Sequence, residues 1–356
     1  MTDLIPLPRL TSLDDAANPL CQGVVAVSRA AAAEAVGDPE TGLAAADLVL
    51  LLAEPAHEAG YCAVALEAGE VIGFATVLTH EREMATVAEL NVVTHPRHRA
   101  RGIGSSLLAW AEGLSARLGR TTLQGAVPSR PPLPGAATVT ASSGGTFPAD
   151  VPGWRFAEAR GYAIGQIEAH NALDLPVPAG ALDDWLAQCR SQSGDYRWHT
   201  WQSVVPDEWL GDFAALRTQV TSDAPVGDMA WETEDWSADR LRTRFAEWQR
   251  AGLDSLYVVA EHAATQTLAG FTHLVWREHP ARTAFQGYTF VRADHRGHRL
   301  GLGLKARALQ GLAQREPAVS RIYTENAAEN AAMLAINRRL GFRLASVAAW
   351  IQKAAI

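Results

Sequence analysis

The sequence predicts an α/β (α+β) protein in which one unit, a mixed central sheet flanked by helices, is built twice in tandem. The first observation is a repeat in spacing. An offset of 197 residues carries Gly73-Phe74 onto Gly270-Phe271, Arg99 onto Arg296 and Gly104 onto Gly301. Self-similarity at a constant offset marks a duplicated unit. Further on, Gly161-Tyr162 matches Gly341-Phe342 at an offset of 180, so the first copy carries 197 − 180 = 17 extra residues. The second observation is size: 356 residues suffice for about two domains. The third is composition, 48% hydrophobic and 20% charged, which is that of a soluble globular chain.

Each copy runs through the same elements. Residues 61–66, 71–78 and 85–93 are strand-like, as are 255–261, 268–276 and 283–291, with turn residues between them. A Gly- and Arg-rich loop follows. Next comes a helix with apolar residues at helical spacing, Leu107, Leu108, Ala111 and Leu114 in one copy and Leu304, Leu309 and Leu312 in the other. Strands at 121–127 and 321–324 come next, and a helix over 326–340 stops at Gly341, a residue that ends helices. The extra residues of the first copy fall at about 129–153, rich in Pro, Gly, Ser and Thr, and read as a long loop. The division expected is 1–172 for the first domain, 173–205 for a structured connector and 206–356 for the second domain.

Charge and cysteines narrow the function. With 31 basic and 39 acidic residues the net charge is −8, against a nucleic-acid backbone binder. Cys21, Cys62 and Cys189 stand far apart, which argues against a disulfide framework. Nothing approaches the ~20 apolar residues that span a bilayer, and no secretory signal is visible. A cytoplasmic protein without membrane or nucleic-acid partners, monomer or homodimer, is expected.

The sharpest motif is Pro96-Arg97-His98-Arg99-Ala100-Arg101-Gly102-Ile103-Gly104-Ser105-Ser106, between a strand and a helix. That arrangement aims free backbone N–H groups and a helix dipole at one point, an anion site, and arginines add charge for phosphate. A tight strand–helix connection would use the same glycines. With Val93 and Thr94 before it, the pattern resembles the pyrophosphate loop of the GCN5-related N-acetyltransferases (GNAT). The second copy reads Phe290-Val291, then Arg296-Gly297-His298-Arg299-Leu300-Gly301-Leu302-Gly303. Arg299 stands at the first glycine position of the motif, a departure that puts the backbone course there in question.

Only the second copy has the run Thr324-Glu325-Asn326 to Asn330 and on to Asn337-Arg338-Arg339-Leu340-Gly341-Phe342. It is similar to the family's segment in which a helix asparagine contacts the pantetheine arm. Asn330 and Asn337 are seven apart and are expected on one cleft; the plainer alternative is that Asn326 caps the helix and the others face solvent. Many family members place a tyrosine general acid four residues before the Gly-Phe pair. Asn337 and Ala157 hold that place here, so neither copy has it.

The resemblance implies two acyl-CoA N-acyltransferase domains that transfer the acyl group of acetyl-CoA, or another acyl-CoA, directly to a small-molecule amine without a metal. The expected coenzyme contacts are Val93, Thr94 and Arg99 to Ser105 in the first copy. In the second they are Phe290, Val291, Arg296 to Gly303, Asn326 and Asn330. Catalysis is expected in the second copy, with Glu325 as base, Tyr288 as acid to the leaving thiolate, and Asn337. Asp223, Asp228 and Glu232, beside tryptophans, suit a cationic acceptor; a solvated acidic helix face explains them too. His95/His98 and His295/His298 have HxxH spacing but no further ligand in sequence. The other class of function left open is a non-catalytic acyl-CoA-binding protein.

Overall fold

The computed structural model describes residues 4–277 and 282–354. The first half runs β1 (Leu4–Pro6), α1 (Pro19–Ala35), α2 (Ala45–Leu51), β2 (Glu58–Glu67), β3 (Glu70–His80), β4 (Val87–Thr94), α3 (Ile103–Arg117) and β5 (Thr122–Ser129). A hairpin, β6 (Thr138–Ala141) with β7 (Gly144–Pro148), leads into α4 (Pro152–Glu158) and β8 (Ala163–Asp174). After α5 (Ala181–Arg190) come β9 (Tyr196–Gln202), α6 (Leu210–Asp223), α7 (Ala238–Arg250), β10 (Leu253–His262), β11 (Thr267–Arg277) and β12 (Thr283–Val291). The chain closes with α8 (Leu300–Arg315), β13 (Arg321–Ala327), α9 (Ala331–Arg339) and β14 (Arg343–Ala354).

Twelve strands form one sheet in the order β1-β2-β3-β4-β5-β14-β8-β13-β12-β11-β10-β9. The order reads as a palindrome of the repeat, with one exchange at its centre. The last strand of the second half, β14, pairs with β5 of the first, while β8, the last strand of the first half, pairs with β13 of the second. β14 and β8 then pair with each other. The two units therefore share their central strands, and neither sheet is complete without the other half.

Local chemistry explains the flanking elements. Asn18 caps α1 by accepting from the Cys21 N–H, with Pro19 at the first turn, and Ser237 caps α7 through the Arg240 N–H. α3 packs one face of the first half-sheet through Ile103, Leu107 and Leu108, and α1 packs the other through Cys21, Val24 and Val27. In the second half α8 and α6 play the same two roles through Leu304 and Leu309, and through Phe213 and Leu216. Ion pairs also join the halves: Arg244 to Glu58 at 2.9 Å, Arg240 to Glu83 at 3.1 Å and Arg277 to Asp47 at 2.7 Å.

One expectation changes. The stretch 129–153 is not an irregular loop, because β6 and β7 pair within it and Phe147 is fully buried against the first core. The connector is structured: α5 packs on α8, and β9 forms the outer strand of the second half.

In each half two neighbouring parallel strands pair only at their start. β4 meets β5 over Val87–Glu89, and β12 meets β13 over Thr283–Gln286; beyond these residues the strands separate. Each half thus holds a notch, with the Gly/Arg loop at its mouth.

Candidate functional site

The second notch opens on a β-bulge. Thr272 faces Thr289 and Leu274 faces Gln286, so His273 alone opposes both Gly287 and Tyr288. A Cβ at Gly287 would lie 2.4 Å from the His273 ring, which is why a glycine is required there. A bulge takes backbone N–H groups out of the ladder and re-aims the next side chain. The first half pairs without interruption from Gly73–Thr94 to Thr79–Ala88 and has no such feature. Burial and the nearby Arg217 charge push the His273 imidazole down to about 3, so it is neutral.

Tyr288, re-aimed by the bulge, lies under the Arg217 guanidinium, 4.6 Å from its ring centre. It is open to water yet crowded by protein. Burial raises its hydroxyl above the usual tyrosine value, Arg217 opposes this, and Glu234, Glu168 and Glu89 add to it. The phenol therefore keeps its proton at neutral pH and can donate it.

Glu325 follows Thr324, the last residue of β13 paired with β12, and stands opposite His170 of β8. Its Oε1 is 3.7 Å from His170 Nδ1, and His170 Nε2 is 3.5 Å from Glu168 Oε2. The three residues bring ligand atoms within 4.8 Å of one another, a geometry that suits a protonated amine or a divalent cation. The surrounding protein raises the Glu325 carboxyl, Glu168 adds to that, and His170 opposes it. Burial works against the His170 cation, but Glu168 and Glu325 more than offset it, so the imidazole is raised. Sequence reasoning missed Glu168 and His170. Their signal is period two: Gln166, Glu168 and His170 share one face of β8, whereas Ile167 and Leu173 on the other face enter the cores.

The two loops keep one backbone course. Ala100 and Gly102 have φ of 59° and 82°, and Gly297 and Arg299 have φ of 90° and 55°. Both left-handed positions are thus preserved, with a glycine at the second in one copy and at the first in the other. Arg299 does not divert the loop; the strain it carries sits where Gly102 carries none. The motif arginines are paired alike, Arg99 with Glu34 of α1 and Arg296 with Asp223 of α6 at 2.9 Å.

The two helix starts differ in packing. Arg101, Gly102, Ser105 and Ser106 are exposed, and Ser105 Oγ accepts from Arg160. In α8, Leu300 to Ala306 are buried. A Cβ on Gly301 would lie 2.9 Å from Ile336, and one on Gly303 would lie 2.8 Å from Trp198. His298 lies against the Tyr196 ring, and His295 Nδ1 is 2.9 Å from the Tyr196 hydroxyl.

Asn330 and Asn337 do not share an open cleft. Asn330 is the cap of α9, accepting from the Met333 N–H. Asn337 is 1% exposed; its Oδ1 accepts from Lys305 Nζ at 2.7 Å and its Nδ2 donates to Asn326 Oδ1 at 2.6 Å.

The acidic residues expected to hold an acceptor are dispersed. Asp223 holds Arg296, the Asp228 carboxylate accepts from Ser142, and Glu232 accepts from the Met84 N–H of the first half. The segment joining α6 to α7 in fact crosses the first notch. Gln124 Nε2 donates to the Ala230 carbonyl at 2.8 Å, and the Ala230 N–H donates to Gln352 at 2.9 Å.

Comparison with known proteins agrees with this architecture. Models of the acetyltransferase (GNAT) domain match residues 58–131 and 207–343. A tandem GNAT protein from the clavulanic acid biosynthesis pathway, solved without AcCoA, is similar at 25% identity and a TM-score of 0.73. The match covers 100% of this chain and 99% of that one. A GCN5-related N-acetyltransferase from Sphaerobacter thermophilus shares the fold at 17% identity and a TM-score of 0.63, covering 99% and 96%. No curated protein matches by sequence. No helix among the described residues is long and apolar enough to cross a membrane. Two GNAT domains in sequence, matched over the whole chain by a solved tandem protein, place this protein in the GNAT acetyltransferase family as a tandem member.

Proposed function

We propose that the chain is an acyl-CoA-dependent N-acyltransferase, with acetyl-CoA as its donor and a small-molecule amine as acceptor, and that its catalytic centre is the second notch. The observation that carries this reading is an asymmetry between the notches. Only the second combines the bulge at Gly287–Tyr288 with the Glu168–His170–Glu325 cluster. In the first half Ala126 faces Trp350 where Glu325 faces His170, and the α6–α7 segment lies across the opening.

In this reading the loop from Arg296 to Leu300 takes the coenzyme's phosphates, with Arg296 exchanging Asp223 for them. The bulged backbone N–H groups stabilise charge on the thioester oxygen, a contribution of order 10²–10³ in rate for one such donor. Glu325 receives the proton of the attacking amine, directly or through water. Its raised carboxyl brings it nearer the working pH, as suits a general base. Tyr288 gives its proton to the departing sulfur. The Glu168–Glu325 pair favours an acceptor that arrives as a cation and loses a proton within the site. The chain would work in the cytoplasm, without metal, nucleic acid or membrane.

Thermal unfolding with acetyl-CoA, followed by release of free thiol over a panel of amines, tests the proposal. A rise in melting temperature is expected because a ligand of the folded state stabilises it. Binding without turnover for any amine would favour an acyl-CoA-binding protein instead, and no rise would defeat both readings.

A further inference from the structure

Arg217 of α6 is a cation beside the second notch to which the mechanism above gives no task. Its guanidinium carbon lies 4.6 Å from the centre of the Tyr288 ring and 4.6 Å from that of Trp236. Contacts with ring faces draw on its charge and occupy none of its five in-plane N–H donors. Those donors have no protein partner among the described residues, whereas the neighbouring Arg240, Arg244 and Arg296 hold Glu83, Glu58 and Asp223. Glu234 is close enough to favour the Arg217 cation, but its carboxylate is held by Trp236 Nε1 at 2.7 Å. Arg217 is half-buried, and its unpartnered nitrogens keep contact with solvent, unlike the sealed Arg240 Nε.

This cation belongs to the second half alone. Arg217 stands six residues before Asp223, which holds Arg296; Ser28 stands six before Glu34, which holds Arg99. Ser28 is occupied locally, its Oγ accepting from the Leu43 N–H at 2.8 Å.

The notch therefore carries opposite charges on its two sides. Arg217 stands over Tyr288 on the β12 side, and Glu168 and Glu325 stand on the β8–β13 side. Tyr288 lies in the field of both, since Arg217 and Glu168 act on its hydroxyl in opposite directions. An acceptor with only an amine satisfies the carboxylates and leaves the guanidinium unpaired. One with an amine and a carboxylate satisfies both sides, and a guanidinium takes a carboxylate through two parallel N–H···O bonds. A single guanidinium with Glu234 nearby suits a monoanion better than a phosphate dianion.

We propose that Arg217 selects the acceptor: it binds a carboxylate on the molecule whose amine lies beside Glu325, so the substrates are aminocarboxylates rather than plain amines. The inference rests on the functional reading above and narrows it. It adds no chemistry to acyl transfer. The amine gives its proton to Glu325 and forms the amide, and the acceptor's carboxylate stays ionised throughout.

The test is acetyl transfer from acetyl-CoA, read by thiol release, to ω-amino acids from glycine to 6-aminohexanoate and to the common α-amino acids. Each is set against its own carboxamide, which keeps the amine and removes the negative charge. The wild type is expected to prefer the best carboxylate over its carboxamide by about 10–100-fold in kcat/KM, the worth of a charge-assisted pair. Arg217→Met is expected to bring that ratio near one, and Arg217→Lys, which keeps the charge without the fork, to lie between. Taking the ratio within each protein cancels what the substitution does to Tyr288. Should Arg217→Met not fold, Arg217→Gln gives the same comparison. Equal use of both sets by the wild type, a preference for carboxamides, or a preference that survives the loss of Arg217 would overturn the inference and leave the acyltransferase standing. Turnover of neither set would defeat the functional reading and this inference with it.

Discussion

His170 and Glu325 face each other across the β8–β13 pair, 3.7 Å apart, although they come from different halves of the chain. The catalytic notch proposed for the second half is therefore built by both. The strand exchange at the sheet centre makes this unavoidable: the strand next to β13 is β8, so whatever the first half writes on β8 becomes part of the second half's wall.

Glu325→Gln keeps the shape of the side chain and removes the proton acceptor. Turnover is expected to fall by about 10²–10⁴, with the acetyl-CoA-induced rise in melting temperature unchanged. His170→Gln is expected to cost less, since it acts through the ionisation of Glu325, and to move the acid limb of the pH–rate profile. An Glu325→Gln enzyme with wild-type turnover would remove Glu325 from the mechanism.

The two phosphate loops should respond differently to matched changes. A side chain at Gly301 meets Ile336 at 2.9 Å, whereas one at Gly104 has ordinary contact distances of 3.5 Å to Thr94 and 3.6 Å to Phe156. Gly301→Asp is expected to abolish turnover by crowding α9 and setting a carboxylate against phosphate. Gly104→Asp is expected to leave turnover and to lower CoA stoichiometry at most. Calorimetric stoichiometry together with thiol release reads both, and the reverse pattern would place catalysis in the first half.

The repeat, the two loops and the positions of Tyr288 and Glu325 beside the notch were legible because each is written in local pattern: spacing, glycines next to arginines, alternation along a strand. What was illegible is non-local. Nothing near Glu168 or His170 in sequence says that β8 crosses into the other half's sheet. The hairpin at 138–148 was masked by turn-forming residues, which serve loops and tight hairpins alike. Asn337 looked like a cleft residue because helical spacing gives a direction and not a depth. Burial against Lys305 is a fact of packing between α8 and α9.

Gly287 tests the bulge. Adding a methyl group 2.4 Å from the His273 ring forces either the ring or the strand to move, and the ring is enclosed by Tyr257, Trp248 and Phe271. Gly287→Ala is expected to destabilise by about 1–3 kcal/mol, as overpacking does, and to lower turnover by about 100-fold. His273→Ala should be milder, and the double variant should recover part of the Gly287→Ala loss, because the two residues share one space. Strict additivity in chemical unfolding would argue against that coupling.

Stability should also carry the signature of Lys305. Burial pushes its ammonium down to about 7 from an unfolded value of 10.5. Below about pH 7 the folded and unfolded chains both hold the proton, and the full burial penalty is present. Between about pH 7 and 10.5 the unfolded chain holds a proton that the folded chain has released, so unfolding becomes harder as pH rises. The slope is at most about 1.4 kcal/mol per pH unit. Replacing the polar chain by K305L/N326V/N337A removes that dependence. Urea unfolding at pH 6 and pH 9 is expected to show the variant more stable than the wild type at pH 6, with the gap closing at pH 9. A gap of equal size at both values would mean that Lys305 stays protonated in the folded protein throughout that range.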